Sequence, residues 1–227
     1  MVIHPKWESY IDSHGCSECQ RVIWVVIKEG ERIFGVCNVY ALNNYRERSE
    51  LWEWCCVHVP KIPWVFVGDF NMVEHKIDKA GGLPQFWKGN EIYFWFKFKR
   101  KFNLVDPLEN MHDNFQDIWF TWCNNQAGKH RVYCRLDRVY GDSSSISFLQ
   151  QNSHAPIQAI PTSLSNHSPI HTCCRIEDLR NSSVSKRTHS SFKINSSLLE
   201  DLNNVEAIAM VSKILNISNP FLDHIDL

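Results

Sequence analysis

The chain has 227 residues, 44% of them hydrophobic and 22% charged, proportions that exclude collagen-like and disordered classes. Its 24 Lys and Arg stand against 25 Asp and Glu, so the formal charge of −1 excludes a histone-like polycation while leaving room for a local basic face on nucleic acid. The length suits one domain, or one domain with an appendage.

The first residues, Met1 to Trp7, lack the apolar core and small-residue cleavage site of a secretory signal. The apolar run Val22 to Ile27 is far too short to span a bilayer. The expectation is a soluble, unexported chain whose nine Cys are reduced thiols. Cys16-x-x-Cys19 has metal-like spacing, but no second pair follows at finger spacing, so a four-ligand zinc site is not expected.

Arg21–Ile27 and Ile33–Tyr40 are rich in Val, Ile and aromatics around Glu29-Gly30-Glu31, which predicts a hairpin. Asn44 to Val57 predicts a helix with Leu51, Trp52, Trp54 and Cys55 on its apolar faces, ended by Pro60 and Pro63. Trp64-Val65-Phe66-Val67 predicts a buried strand stopped by Gly68. Lys76 to Pro84 predicts a loop. Glu91 to Phe102 predicts a second helix, with Ile92, Trp95, Phe98 and Phe102 at helical spacing and Lys97, Lys99, Arg100 and Lys101 as a solvated basic cluster.

Trp119–Trp122, Val132–Tyr140 and Pro169–Cys174 predict three more strands. Strands mixed with helices predict an α/β (α+β) sandwich over residues 1–177. Residues 178–196 are Ser-rich and polar, the composition of a linker. Over 197–227 a capping-box pattern from Ser197 to Glu200 leads into an amphipathic helix carrying Leu198, Leu202, Val205 and Ala209 on one face. Trp24, Trp52, Trp54, Trp64 and Trp95 fall on apolar faces and are expected to pack; Tyr40 is expected to be partly core.

Gly68-Asp69-Phe70-Asn71 follows the buried strand. An acid there can activate water or hold a cation, and the amide two residues on can hold a phosphate oxygen. Arg135-Leu136-Asp137-Arg138-Val139-Tyr140 places an acid inside a strand, and Ser165-Asn166-His167-Ser168-Pro169-Ile170 places a His before the last one. A buried acid against an imidazole fixes its tautomer and favours its cationic form. Asp137 paired instead with Arg135 or Arg138, and His167 as a plain turn residue, are the alternatives.

In this order, with Thr121-Trp122, Asn38-Val39-Tyr40-Ala41 and the Tyr45–Trp52 helix, the strings resemble the endonuclease/exonuclease/phosphatase superfamily. They are most similar to the endonuclease domain of plant LINE-type (non-LTR) retrotransposon polyproteins. The resemblance covers roughly residues 1–175. It implies a four-layer αββα sandwich with two facing mixed sheets, and Mg²⁺- or Mn²⁺-dependent hydrolysis of a DNA phosphodiester. Asp69 matches the acid that orients or deprotonates water, and Asn71 the residue that holds the phosphate. His167 matches the imidazole that stabilises the transition state, and Asp137 the acid that orients it. Tyr40 matches the tyrosine beside the phosphate; Thr121 and Trp122 fall where family members shape the DNA-facing surface. DNA is the implied partner, with no membrane and no obligate protein partner.

The chain also departs from the pattern. The family's N-terminal strands, with an Asn and a metal-binding Glu, have no match: the first residues align past them, and Glu8, Glu18 and Glu29 stand in other contexts. Asn166 replaces the Asp of the family's Ser-Asp-His, and Leu42 a Pro. Of the metal ligands, Asp69 and Asn166 would remain, and a neutral amide binds a hard cation less well than a carboxylate. The resemblance thus implies a truncated domain with impaired or absent activity. The alternatives are a catalytically dead DNA-binding remnant using the Lys97–Lys101 cluster, and a small-molecule or lipid phosphatase of the same superfamily.

Overall fold

The computed structural model of the chain describes residues 1–84, 87–108, 120–148, 157–160 and 165–176. Trp119, the linker expected over 178–196 and the helix expected over 197–227 lie outside the described residues.

The strands in chain order are β1 (Ile11–Cys16), β2 (Val22–Glu29) and β3 (Arg32–Tyr40), followed by helix α1 (Tyr45–His58) and β4 (Trp64–Asp69). Next come β5 (Lys79–Ala80), helix α2 (Glu91–Lys101), β6 (Leu104–Val105), β7 (Trp122–Cys123), β8 (Tyr133–Cys134) and β9 (Asp137–Asp142). The last are β10 (Ile146–Phe148), β11 (Ile157–Ala159), β12 (Ile170–Thr172) and β13 (Cys174–Ile176). The β2–β3 hairpin and both helices lie where the sequence predicts them, α1 being capped by the Asn44 side chain accepting from the Arg46 N–H.

Six strands form one mixed sheet in the order β1-β2-β3-β4-β9-β6. Only β3 and β4 run parallel in it, and α1 is their crossover. Residues alternate between its faces. Val39, Trp64, Phe66 and Tyr140 bury against Leu51, Trp52 and Cys55 of α1 and Trp95 and Phe98 of α2. On the opposite face Val65, Val67 and Val139 bury against Ile146, Ile157, Ile170 and Cys174 of the antiparallel pairs β10–β13 and β11–β12. The fold is therefore an α/β sandwich, and three of the four expected layers fall on the described residues: helices, mixed sheet and facing β layer. Trp52, Trp64 and Trp95 are fully buried, and Trp24 and Trp54 pack against the same core. A buried Arg48–Glu91 pair, 2.6 Å apart, ties α1 to the start of α2.

Some expectations are corrected. Gly68 does not stop its strand: β4 continues to Asp69. A side chain at Gly68 would sit 2.0 Å from the Val39 carbonyl oxygen, and its φ of 131° is one that L side chains rarely adopt. The stretch 132–140 divides into β8 and β9, and the loop over 76–84 contains β5. β1 is an additional strand whose residues alternate in burial, pairing antiparallel with β2.

Candidate active site

Three strand ends meet on the sheet face that looks toward the second β layer. Asp69 is in register with Tyr40 of parallel β3 and with Asp137 of antiparallel β9. Register partners point to the same face. Val67 and Val139, two residues away along each strand, define that face as the inter-sheet one.

The turn after β4 is set by its own side chains. Phe70 is fully buried on the helix side, stacked on Trp52, which pins the chain. Asn71 takes the left-handed conformation, φ 49°, which Asn tolerates. Its backbone N–H donates to Asp69 Oδ1 at 2.8 Å, and its Nδ2 donates to Asp69 Oδ2 at 3.1 Å and to the Ala41 carbonyl at 2.8 Å. Both amide hydrogens of Asn71 are thus engaged with Asp69 and Ala41 rather than open to a phosphate.

His167 Nδ1 lies 2.8 Å from Asp137 Oδ2. Asp137 is 3% exposed, while the His167 side chain keeps 21% of its surface in solvent. A buried carboxylate on Nδ1 assigns that nitrogen the proton and leaves Nε2 as the ring's other polar atom. Ser165 Oγ accepts from the His167 N–H at 3.0 Å, and Trp122 forms a β-bridge with His167.

Thr121 joins the pieces. Its buried Oγ1 accepts from the N–H groups of Leu136 and Asp137 at 3.0 and 2.9 Å, and its carbonyl accepts from the Ser168 N–H. In that geometry Thr121 supports Asp137 and the His167 loop from within. Trp122 is half-buried in β7, and Tyr40 is 42% exposed, not core.

The sequence reading missed Arg21. Its guanidinium stands 5.0 Å from the centre of the Tyr40 ring, a cation at the rim of the site. Arg–Tyr proximity across β2 and β3 has no short-range sequence signal.

A second missed feature is a buried ionic network that reaches α2 through Glu74. Arg138 Nη2 lies 2.7 Å from Asp78, Arg135 Nε 2.8 Å from Asp78, and Arg135 Nη2 2.7 Å from Asp106. Glu74 accepts from Tyr140 Oη at 2.7 Å, Trp95 Nε1 at 3.0 Å and Lys99 Nζ at 2.8 Å. Arg135 and Arg138 therefore serve this network, and Asp137 pairs with the His. Burial alone would raise the Asp78 carboxyl, but Arg138 and Arg135 outweigh it and hold it well below the carboxylate range. Glu74 is held down likewise: burial opposes, and Arg138 and Lys99 prevail.

The Lys97–Lys101 cluster is partly solvated as expected, with Lys97 and Arg100 exposed, and partly tied down. Lys99 is held by Glu74, Lys101 donates to the carbonyls of Cys56 and Val59, and Lys97 lies 3.5 Å from Glu53. It also lies across the sheet from Asp69 and His167.

The donors that could hold a divalent ion are few. Both Asp69 oxygens accept from Asn71, Asp137 is committed to His167, and Asn166 offers an exposed neutral amide. Among the described residues no three His, Cys, Asp or Glu are placed to share a metal. All nine Cys are free thiols. No helix of the described residues is long and apolar enough to cross a membrane.

No family model matches the chain, and no curated protein matches it in sequence. Solved structures do resemble it. The endonuclease domain of TRAS1, a telomere-specific non-LTR retrotransposon, is 11% identical, with a TM-score of 0.46 over 71% of this chain and 65% of that one. The AP endonuclease LMAP from Leishmania major is 15% identical, with a TM-score of 0.41 over 66% of this chain and 53% of that one. A truncated TDP2 of Caenorhabditis elegans is 16% identical, with a TM-score of 0.39 over 70% of this chain and 63% of that one. The matched part is less than two thirds of each of these proteins.

Proposed function

We propose that the chain is a phosphodiester hydrolase domain of the DNA endonuclease kind, derived from a retroelement, whose acid–imidazole machinery is built and whose cation site is degenerate. The observation that carries this reading is the 2.8 Å Asp137–His167 pair beside Asp69 on one sheet face. In such hydrolysis charge develops on phosphoryl oxygens. An imidazole oriented through Nδ1 can present Nε2 to one of them, and Asp137 is positioned to stabilise the positive charge that His167 then carries. Asp69 is the carboxylate available to a water, provided that Asn71 yields one of its two contacts. Arg21 over Tyr40 supplies a cation for the neighbouring backbone phosphate. A divalent ion, where bound, neutralises the phosphoryl charge; Asn166 in place of an acid weakens its hold, so activity is low or absent.

The test is nicking of supercoiled plasmid in Mn²⁺ and in Mg²⁺ by the chain, by Asn166→Asp and by His167→Ala. The expected order is Asn166→Asp above the unaltered chain, with His167→Ala at background. Nicking that survives His167→Ala unchanged overturns the dyad's role, and efficient nicking by the unaltered chain in Mg²⁺ overturns the degenerate cation site.

A further inference from the structure

The turn that leaves β3 is built around one side chain. Arg48, in the first turn of α1 and 4% exposed, donates from Nη1 to the carbonyls of Leu42 at 2.9 Å and Asn43 at 2.8 Å. Its Nε lies 2.6 Å from Oε1 of Glu91, the first residue of α2, where a helix N-terminus favours an acid. Both side chains are buried, so these are charge-assisted bonds in a place of low dielectric. The carboxylate aims the guanidinium, and the planar fork spans carboxylate and carbonyls at once.

Ala41 stands immediately before those two carbonyls. Its N–H donates to the Asp69 carbonyl at 2.8 Å, and its own carbonyl accepts from Asn71 Nδ2 at 2.8 Å. Peptide units are planar, so with the Leu42 carbonyl held, the Ala41 carbonyl can turn only through the two backbone angles of Leu42. It is thus clamped between the end of β4 on one side and Arg48 on the other. Asn71 hangs on that clamp. Its backbone N–H sits on Asp69 Oδ1 at 2.8 Å, and its Nδ2 sits on Ala41 and, at the longer 3.1 Å, on Asp69 Oδ2. A continuous path of short contacts therefore runs from Glu91 in the helix layer through Arg48, Leu42, Ala41 and Asn71 to Asp69.

We infer that Arg48, aimed by Glu91, is a positioning residue for the Asp69 carboxylate: by holding the Leu42–Asn43 turn it keeps Asn71 on the Ala41 carbonyl, so that the oxygen released to a water is Oδ2 while Oδ1 stays on the Asn71 N–H. The inference rests on Asp69 being the acid of the proposed reaction, and it names which of the two Asn71 contacts on Asp69 yields.

The test is hydrogen exchange of the Asn71 side-chain amide, followed by NMR on the full chain without DNA. The double variant Arg48→Met, Glu91→Gln removes the guanidinium without leaving a buried carboxylate unpaired. Its Asn71 Nδ2 hydrogens are expected to exchange at least about tenfold faster, while the backbone amides of β4 keep their rates. Glu91→Gln alone retains an acceptor for Nε and is expected to leave Asn71 near its starting rate. Unchanged Asn71 exchange in the double variant overturns the inference. So does equal acceleration at Asn71 and across β4, which makes Arg48 a merely structural residue. An effect of Glu91→Gln as large as that of the double variant overturns it too, because the ion pair between the helices is then the cause. If the double variant does not fold, Arg48→Lys keeps a charge for Glu91 without the fork and is read in the same way. The signal needs neither cation nor turnover, so a failure to nick DNA counts against the proposed function and leaves this inference standing.

Discussion

Asp69 and Asp137 stand directly opposite one another across the antiparallel β4–β9 ladder, both on the face toward the second β layer. Two carboxylates so placed repel. Each is held by its own donors: Asp69 by the backbone and side-chain N–H groups of Asn71, Asp137 by His167. His167→Ala removes a side-chain partner 2.8 Å from Asp137, a carboxylate that is 3% exposed. The expected cost is about 1.5–3 kcal/mol in urea unfolding. Asp137→Asn in that background is expected to recover a substantial part of it, because the buried charge that has lost its imidazole and its repulsion of Asp69 go together. A double variant no more stable than His167→Ala alone counts against this account.

Thr121→Val should be costly although the shapes match. The two N–H groups that Oγ1 accepts, at Leu136 and Asp137, would be left in a buried place without it. The expected loss is about 2 kcal/mol or more, with Thr121→Ser much milder because it keeps the hydroxyl. Equal destabilisation by Val and Ser would assign the effect to the methyl group instead.

The elements that could be read from the sequence are those whose signal is local. The β2–β3 hairpin has two β-branched runs around a Gly turn, α1 has its Asn44 cap, and β4 is a short apolar run. β1 escaped because Ile-Asp-Ser-His-Gly-Cys is polar at alternate positions and poor in β-branched residues, as an edge strand can be. The site was legible only as motif order: Asp137 and His167 are 30 residues apart, and no periodicity joins them. The ionic network could not be read at all. Asp78 lies 57 and 60 residues from Arg135 and Arg138 and inside a stretch that reads as a loop. Arg135 and Arg138, close to Asp137 in sequence, even suggested themselves as its partners, but both are drawn to Asp78, which no local spacing reveals.

Asp78→Asn should be among the most damaging single changes. Asp78 is fully buried and serves both Arg135 and Arg138, themselves 2% and 1% exposed. Removing its charge leaves two guanidinium groups buried with less compensation, for an expected loss of about 3–5 kcal/mol. The same network sets the acid limit of the fold. Asp78 and Glu74 both have folded pKa values below those of the unfolded chain, so between these values the unfolded state binds more protons. Their stabilisation is complete above roughly pH 5 and declines as pH falls from about 4 toward the folded values. Unfolding free energy measured from pH 7 to pH 2 should drop steeply below pH 4 in the unaltered chain and less steeply in Asp78→Asn. Parallel curves would remove Asp78 from the explanation.

Gly68→Ala should fail for geometric reasons. The methyl group would meet the Val39 carbonyl oxygen at 2.0 Å, a backbone atom of the adjacent parallel strand, at φ 131°. Relief requires β3 and β4 to part just where Tyr40 and Asp69 are in register. The expected loss is about 2 kcal/mol or more, read as a lower urea midpoint. Little change would show that β4 can rotate at Gly68.

Asn166→Asp tests the cation site by binding alone. The loop there is fixed by backbone contacts that the substitution leaves intact: the Cys123 N–H donates to the Asn166 carbonyl at 3.0 Å, and Ser165 Oγ accepts from the His167 N–H at 3.0 Å. The side chain is exposed and nearly isosteric with Asp, so the change adds one charge and little else. With Asp69 as the other acid of the proposed site, Mn²⁺ affinity measured by calorimetry is expected to rise on the order of tenfold. Asp69→Asn in the same background should return it to the starting level. A rise that survives Asp69→Asn would mean that the added carboxylate binds the ion elsewhere on the surface, and would separate Asn166 from the Asp69 site.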